Sequence, residues 1–478
     1  NGLVEMGTFL AILLGTLAAG ELGDEKFLGI IIAATLSVAL IGFIASLGIP
    51  KLPPTDAAMR VDWNLWTSTW SNINVARQSR VVFLSILGIS WFWFYGALVL
   101  TQLPTYSKNV LNGSEAVLTL MLILFSTGVG LGSLLCERMS GHKVEIGLVP
   151  FGSIGLTVFA VDLFFMTPEM PAAHVLSAAE FFAQTHGIRM AADLALIGLF
   201  GGFYIVPLYA LVQQTAPKNV MSRVISTNNI LNAVFMVIAA GLAALCLWGG
   251  MTIPQLLLLT AIMNAFVAIY IYSLVPEFLL RFVAWILMHL FYRLRFRGIE
   301  NIPSTGGALI ICNHVSFVDA LLLSAACPRP IRFVMESAIF KMPIVNLFAR
   351  GMKAIPVCSA KEDRETMERA FATVANELRA GHLVCIFPEG KLTADGNMKV
   401  FRPGMTRIVS ETPVPVVPMA IGGLWNSMFT RAEKTLWRRL PRKLFAKIVV
   451  SAGPPVPPQL AIPDGMREQV LALRGALP

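Results

Sequence analysis

Two short stretches hold the residues best suited to chemistry. In the first, "NHVSFVDA" (313–320), His314 stands five residues before Asp319, between apolar runs that have no packing use for either. In the second, "FPEGKLT" (387–393), Glu389, Gly390, Lys391 and Thr393 follow the apolar run "LVCI". A histidine and a carboxylate that converge can act as a general base. The imidazole takes a proton from an attacking hydroxyl, while the carboxylate holds its tautomer and stabilises the imidazolium. On one continuous helix a five-residue offset would leave the two side chains roughly 140° apart, so convergence requires a strand-to-helix turn between them. The same residues also fit a Ser-x-x-Asp capping box, in which Asp319 satisfies a backbone N–H and His314 is an ordinary loop residue. The stretch alone leaves both readings open. Gly390 lets backbone approach a ligand closely, and a lysine beside it is a ready phosphate partner. The competing reading is a charged turn with Glu389 and Lys391 solvated. Cys312 adjoins the first motif, but a place inside a strand argues against a covalent acyl-cysteine.

Both motifs sit where strands are expected to end. "GALIICNH" reads as a buried strand and "FVDALLLSAA" as a helix; "IRFVME" is a strand, followed by an amphipathic stretch through "IVNLFARG" and the short strand "KAIPVC". "RETMERAFATVANELRAG" is a charged helix ending at Gly381, "HLVCIFPEG" and "VPVVPMAI" are strands, and "KLFAKIVVSAG" closes the run. Strands alternating with helices predict an α/β domain on a mostly parallel sheet over 298–478, with functional groups at strand ends.

The rest of the chain has a different solvent. Of 478 residues, 56% are hydrophobic and 14% charged, and the mean hydropathy is +0.69. A soluble protein of that composition would expose large apolar patches. Residues 1–275 read as a polytopic helical membrane domain with eight apolar runs: 3–19, 28–48, 81–103, 115–135, 146–166, 191–213, 228–248 and 254–275. Alternate breaks hold Lys51, Arg60, Arg77, Arg80, Arg138, Lys143, Lys218 and Arg223, against Lys26, Lys108 and Arg189 in the others. The positive-inside rule puts the richer set, both ends of this part and everything after 275 in the cytoplasm. Residues 276–297, with Arg281, Arg293, Arg295 and Arg297, read as a basic amphipathic helix at the membrane interface, its arginines reaching headgroup phosphate; a ninth span is the alternative. Glu5, Asp162 and Asp193 are candidate transport residues, because an intramembrane carboxylate is costly. Asn228, Asn229 and Asn232 fit helix-end caps equally well.

The net charge of +9 suits an anionic membrane surface or substrate, and no nucleic-acid-binding motif is present. Six scattered cysteines without a CxxC pair indicate neither a disulfide framework nor a metal site, and no cofactor is called for. The chain opens at Asn1 without a signal-peptide pattern.

"NHVSFVDA" and "FPEG", about 70 residues apart, resemble the first and third blocks of the glycerolipid acyltransferases, over roughly residues 290–455. "VPVVPMAI" matches a fourth block. The resemblance implies His314 as base and Asp319 as its orienter. It also implies an acceptor site that includes Asn313, Ser316, Glu389, Gly390, Lys391, Thr393 and Arg402, with Lys391 and Arg402 on the headgroup phosphate. Lysophosphatidic acid acyltransferases usually continue this block as Thr-Arg-Ser. Here Lys391-Leu392-Thr393 is closer to the branch that acylates 2-acylglycerophosphoethanolamine. Lys361 and Arg364 come later than the second block's basic residue usually does. "NGLVEMGTFLAILLGTLAAG" and "GLFGGFYIVPLYALVQQTAPKNVMSRVISTNNILNAVFMV" resemble lysophospholipid transporters of the major facilitator superfamily from their fifth helix onward, so four helices are expected ahead of Asn1. Together the resemblances imply a fusion in a bacterial inner membrane, its acyltransferase domain cytosolic. Its partners would be a lysophospholipid acceptor, membrane lipids, and an acyl-ACP or acyl-CoA donor made elsewhere.

Overall fold

The computed structural model describes residues 27–50, 63–139, 147–274, 276–358, 363–425, 427 and 445–475, with scattered positions between 7 and 18. The chain divides into two compact units, Asn1–Ile271 and Tyr272–Pro478.

The first unit is helical: α1 (Leu28–Leu47), α2 (Leu65–Arg77), α3 (Arg80–Thr105), α4 (Glu115–Met139), α5 (Leu148–Met166), α6 (Ala178–Ala183), α7 (Gly187–Thr215), α8 (Met221–Trp248) and α9 (Ile253–Leu274). Among the described residues, seven helices are long and apolar enough to cross a membrane, and they coincide with seven of the eight expected runs. The eighth, 3–19, falls mostly outside the described residues. Small residues bring α4 and α7 almost into backbone contact. A Cβ on Gly132 would lie 2.0 Å from the Leu199 carbonyl oxygen, and one on Gly202 would lie 2.5 Å from Ser133 N. In lipid, such close approach supplies the dispersion contacts that a hydrophobic effect cannot. Buried polar side chains join other helices. Trp91 Nε1 donates to Asn264 Oδ1 at 2.9 Å, and Asn264 Nδ2 donates to Ser153 O and Thr157 Oγ1, both at 2.9 Å. Asn228, Asn229 and Asn232 lie inside α8, not at an end, and Asn232 accepts the Ser90 hydroxyl at 2.9 Å. They therefore do not cap a helix.

The second unit opens with α10 (Pro276–Phe291) and β1 (Tyr292–Arg297). It continues with β2 (Ala308–Cys312), α11 (Asp319–Ala326), β3 (Ile331–Glu336), α12 (Pro343–Gly351), β4 (Ile355–Val357), α13 (Arg364–Arg379), β5 (Leu383–Ile386), α14 (Gly404–Glu411), β6 (Val416–Gly422), β7 (Ala446–Ala452) and α15 (Pro463–Arg474). The seven strands form one sheet in the order β1-β7-β6-β2-β5-β3-β4, parallel except where β6 meets β7. Helices cover both faces, so β2 is buried throughout and its residues alternate between two cores. Ala308, Ile310 and Cys312 enter one, Leu309 and Ile311 the other.

The stretch expected as one interfacial helix over 276–297 is a helix followed by a strand. Tyr-Arg-Leu-Arg-Phe-Arg alternates with period two, which suits an edge strand: Leu294 and Phe296 pack toward the core while the arginines face out. Arg281 does not reach outward either. It is 3% exposed and donates to the Cys327 carbonyl at 2.8 Å, and burial lowers its pKa to about 10. Helices α14 and α15 lie outside the elements expected from the sequence.

Candidate active site

Strand β2 lies at the centre of the sheet, between β6 and β5, and both motifs leave from the C-terminal ends of β2 and β5. Asn313 fixes the exit of the first. Its Nδ2 donates to Ile421 O at 3.0 Å and its Oδ1 accepts from Ile421 N at 2.8 Å, so the side chain pairs with β6 as backbone would. The next residue is thereby turned out of the sheet. His314 Nδ1 lies 2.8 Å from Asp319 Oδ2, across the strand-to-helix turn. The imidazole is 22% exposed and the carboxylate 0%. With Nδ1–H given to Asp319, the Nε2 lone pair is the basic position.

The two readings of Asp319 are both realised. Besides the imidazole, its Oδ2 accepts from Val315 N at 2.7 Å and Ser316 N at 3.0 Å. The carboxylate therefore holds the turn and the ring together. Ser316 is buried, and its hydroxyl accepts from Val318 N at 3.4 Å, so the Asp319 half of the expected capping box forms while the serine oxygen meets the N–H of Val318.

The second motif wraps the backbone of His314. Glu389 is buried; its Oε1 accepts from His314 N at 2.8 Å and its Oε2 from Lys399 N at 2.8 Å. Burial raises its pKa above the ordinary glutamate value, and the two N–H donors partly offset that rise. Thr393 N donates to the His314 carbonyl at 2.9 Å. The Thr393 hydroxyl is used within its own turn, donating to Asn397 O at 2.8 Å and accepting from Gly396 N at 3.0 Å. Gly390 has φ +70°, a conformation that L side chains rarely adopt, and the Arg402 guanidinium lies against its α carbon. Lys391 and Arg402 are both exposed.

Phe387 begins the second motif, yet sequence reasoning does not mark it as a site residue. Its ring stacks on His314, with centroids 4.1 Å apart and planes at 15°. It also borders an apolar recess of about 150 Å³, whose lining includes Val334, Val357, Phe371, Val374 and Ile386 together with Gly390 and Arg402. An apolar cavity of about 150 Å³ admits a benzene-sized guest, so this recess fits part of a hydrocarbon chain. Burial pushes the Cys312 thiol well above its usual pKa, which disfavours a thiolate nucleophile there.

The three candidate transport residues belong to the other unit. Glu5 lies outside the described residues. Asp162, near the end of α5, makes a two-bond ion pair with Arg189 at 2.8 and 2.5 Å, and Asp193 is 2% exposed on α7. Lys361 is likewise outside the described residues, while Arg364 opens α13. Among the described residues, no cluster of side chains suited to a metal occurs.

These features agree with the likeness to known proteins. The Major Facilitator Superfamily model matches residues 1–240, half of the chain, and the Acyltransferase model matches residues 293–422. The 1-acyl-sn-glycerol-3-phosphate acyltransferase LPAT1, chloroplastic, of Arabidopsis thaliana is 27% identical over 194 residues, covering 40% of this chain and 54% of that protein. The lysophospholipid transporter LplT of Escherichia coli O1:K1 / APEC is 29% identical over 261 residues, 53% of this chain and 59% of that one. The crystal structure of the 1-acyl-sn-glycerophosphate (LPA) acyltransferase PlsC from Thermotoga maritima matches with a TM-score of 0.34 and 22% identity, over 41% of this chain and 77% of that one. The chain thus spans little more than half the length of the two relatives compared by sequence. It belongs to the Major Facilitator Superfamily through its multi-pass membrane half, and that half is followed by the segment that matches the Acyltransferase model.

Proposed function

We propose that this protein re-acylates a lysophospholipid at the membrane, with 2-acylglycerophosphoethanolamine as the acceptor and acyl-ACP or acyl-CoA as the donor. The observation that carries this reading is the 2.8 Å contact between His314 Nδ1 and buried Asp319, beside an apolar recess. Nε2 of His314 removes the proton from the acceptor hydroxyl, whose oxygen attacks the thioester carbonyl. The tetrahedral oxyanion collapses and the C–S bond breaks. The leaving thiolate takes the proton back from the imidazolium, which Asp319 has stabilised meanwhile. Products are the diacyl phospholipid and the free thiol.

Lys391 and Arg402 hold the acceptor phosphate, a role that suits two exposed cations beside Gly390. Glu389, Asn313 and Thr393 serve this site through the backbone that they fix. Part of the donor's acyl chain occupies the recess behind Phe387. The membrane half supplies the lysophospholipid in a bacterial inner membrane, as its likeness to the LplT transporters supports, and the lysine and arginine asymmetry supports an acyltransferase domain in the cytosol.

Purified protein given radiolabelled lysophosphatidylethanolamine and palmitoyl-ACP or palmitoyl-CoA is expected to form diacyl product. Absence of product with either donor, or full activity in His314→Ala, overturns the catalytic reading and leaves a regulatory domain on a transporter. A second acceptor, lysophosphatidic acid, is favoured by the name of the acyltransferase relative from Arabidopsis thaliana. Parallel kcat/KM values for the two acceptors decide between them.

A further inference from the structure

The loop from Gly390 to Arg402 is gripped from two sides. On its inner side it holds His314: Glu389 takes the His314 N–H, Thr393 N donates to the His314 carbonyl, and Glu389's second oxygen takes Lys399 N. On its outer side it is held by α15. Arg467 donates Nε to Lys399 O and Nη2 to Met398 O, both at 3.1 Å, and Arg474 donates Nη1 to Gly396 O at 3.0 Å. The two arginines are seven residues apart, so they share one helix face two turns apart. Met466 and Val470, on the adjoining face, are buried in the core. The 398–399 segment therefore transmits position directly. Its carbonyls are fixed by the C-terminal helix, and its next N–H is fixed on the carboxylate that braces the histidine.

We propose that Arg467 and Arg474 are positioning residues for His314, acting through the 396–399 backbone and Glu389; this rests on the acyl-transfer reading above. Helix α15 lies beyond residues 293–422, which the Acyltransferase model matches. The grip comes from outside the matched core of the domain. Arginine is chemically suited to it. A guanidinium presents donors in a rigid fork, and a charged donor on a carbonyl makes a stronger hydrogen bond than a neutral one. Truncating the arginines leaves three carbonyls to water and lets the loop shift. A displacement of about 1 Å at reacting groups costs on the order of a hundredfold in rate.

The test uses the full chain in lipid nanodiscs, with lysophosphatidylethanolamine and whichever of palmitoyl-ACP and palmitoyl-CoA is the better donor. Arg467→Ala/Arg474→Ala is expected to lower kcat by about tenfold or more, with a smaller rise in the acceptor KM because Lys391 and Arg402 stand at the ends of the same loop, and an unchanged melting temperature. Arg467→Lys should recover part of the loss, because an ammonium still reaches a carbonyl. Arg369→Ala, which removes an exposed ion pair with Glu365, should keep the wild-type kcat. Wild-type kcat in the double variant, while His314→Ala is inactive, overturns this inference alone. So does a loss of kcat that follows a falling melting temperature from variant to variant, since that is a folding effect. An active His314→Ala overturns the catalytic reading and this inference with it.

Discussion

Replacing Asp319 by Asn removes a charge, and it puts an amide donor where the buried Oδ1 has no hydrogen-bond partner among the described residues. The Asn oxygen can occupy the place of Oδ2 and keep the bonds from Val315 N and Ser316 N, so the turn should survive. What disappears is the attraction between a carboxylate and the imidazolium that forms as His314 accepts a proton. At the observed 2.8 Å, an effective dielectric of about 20 gives roughly 6 kcal/mol for two full charges. Only part of a positive charge has developed in the transition state, and a neutral acceptor still hydrogen-bonds to the ring. About half of that figure, ~3 kcal/mol, is therefore the expected loss, which corresponds to about a hundredfold in kcat. The assay is initial-rate acyl transfer to lysophosphatidylethanolamine at saturating donor, with thermal unfolding run in parallel. The two residues act as one unit, so His314→Ala/Asp319→Asn should be no slower than His314→Ala alone. The reasoning fails if Asp319→Asn keeps more than about a third of the wild-type kcat, or if the double variant shows the two losses multiplied.

Other expectations follow from the same geometry. Gly390→Ala forces a Cβ into a left-handed conformation at a cost of about 1–2 kcal/mol and pushes on the Arg402 guanidinium, so the acceptor KM should rise; an unchanged KM counts against a phosphate role for Arg402. Glu389 has its pKa raised by folding, so the folded state holds this proton more tightly than the unfolded state. Its contribution to stability is complete below the unfolded value of about 4.3 and declines as pH rises through the folded value. Glu389→Gln should flatten that part of a stability-versus-pH curve measured by denaturant titration. Gly132→Val places side-chain atoms where the Leu199 carbonyl stands, and should lower the melting temperature of the membrane half while α3 substitutions at exposed Val81 do not.

Much of this protein is legible in its sequence because its patterns are long or chemically specific. Apolar runs of bilayer length have few competing explanations, which is why seven described helices fall where hydropathy puts them. His314 and Asp319 are recognisable because polar residues at the end of an apolar strand need a reason. Other features escape the sequence for identifiable causes. The six residues of β1 follow an amphipathic helix without a glycine or proline, so no breaker marks the change of period, and the arginines suggest headgroups instead of a sheet edge. Asn232 of α8 looks like a cap because its partner, Ser90, is 142 residues away in the chain. The bonds of Arg467 and Arg474 to backbone carbonyls leave no trace in sequence, since a carbonyl is the same in every residue.

The pairing of β1 with β7 has a consequence in time. These strands lie side by side in register, Tyr292 against Ala446 through Arg297 against Ser451, yet one opens the domain and the other nearly closes it. Roughly 150 residues separate them, so at about 5–20 residues per second some 7–30 s of synthesis pass between the appearance of the two. Until β7 is made, β1 has no strand beside it in the sheet order and would stand with both edges unpaired. The alternate arginines of β1 repel a second such edge, which would keep neighbouring nascent chains apart until β7 emerges to occupy the place.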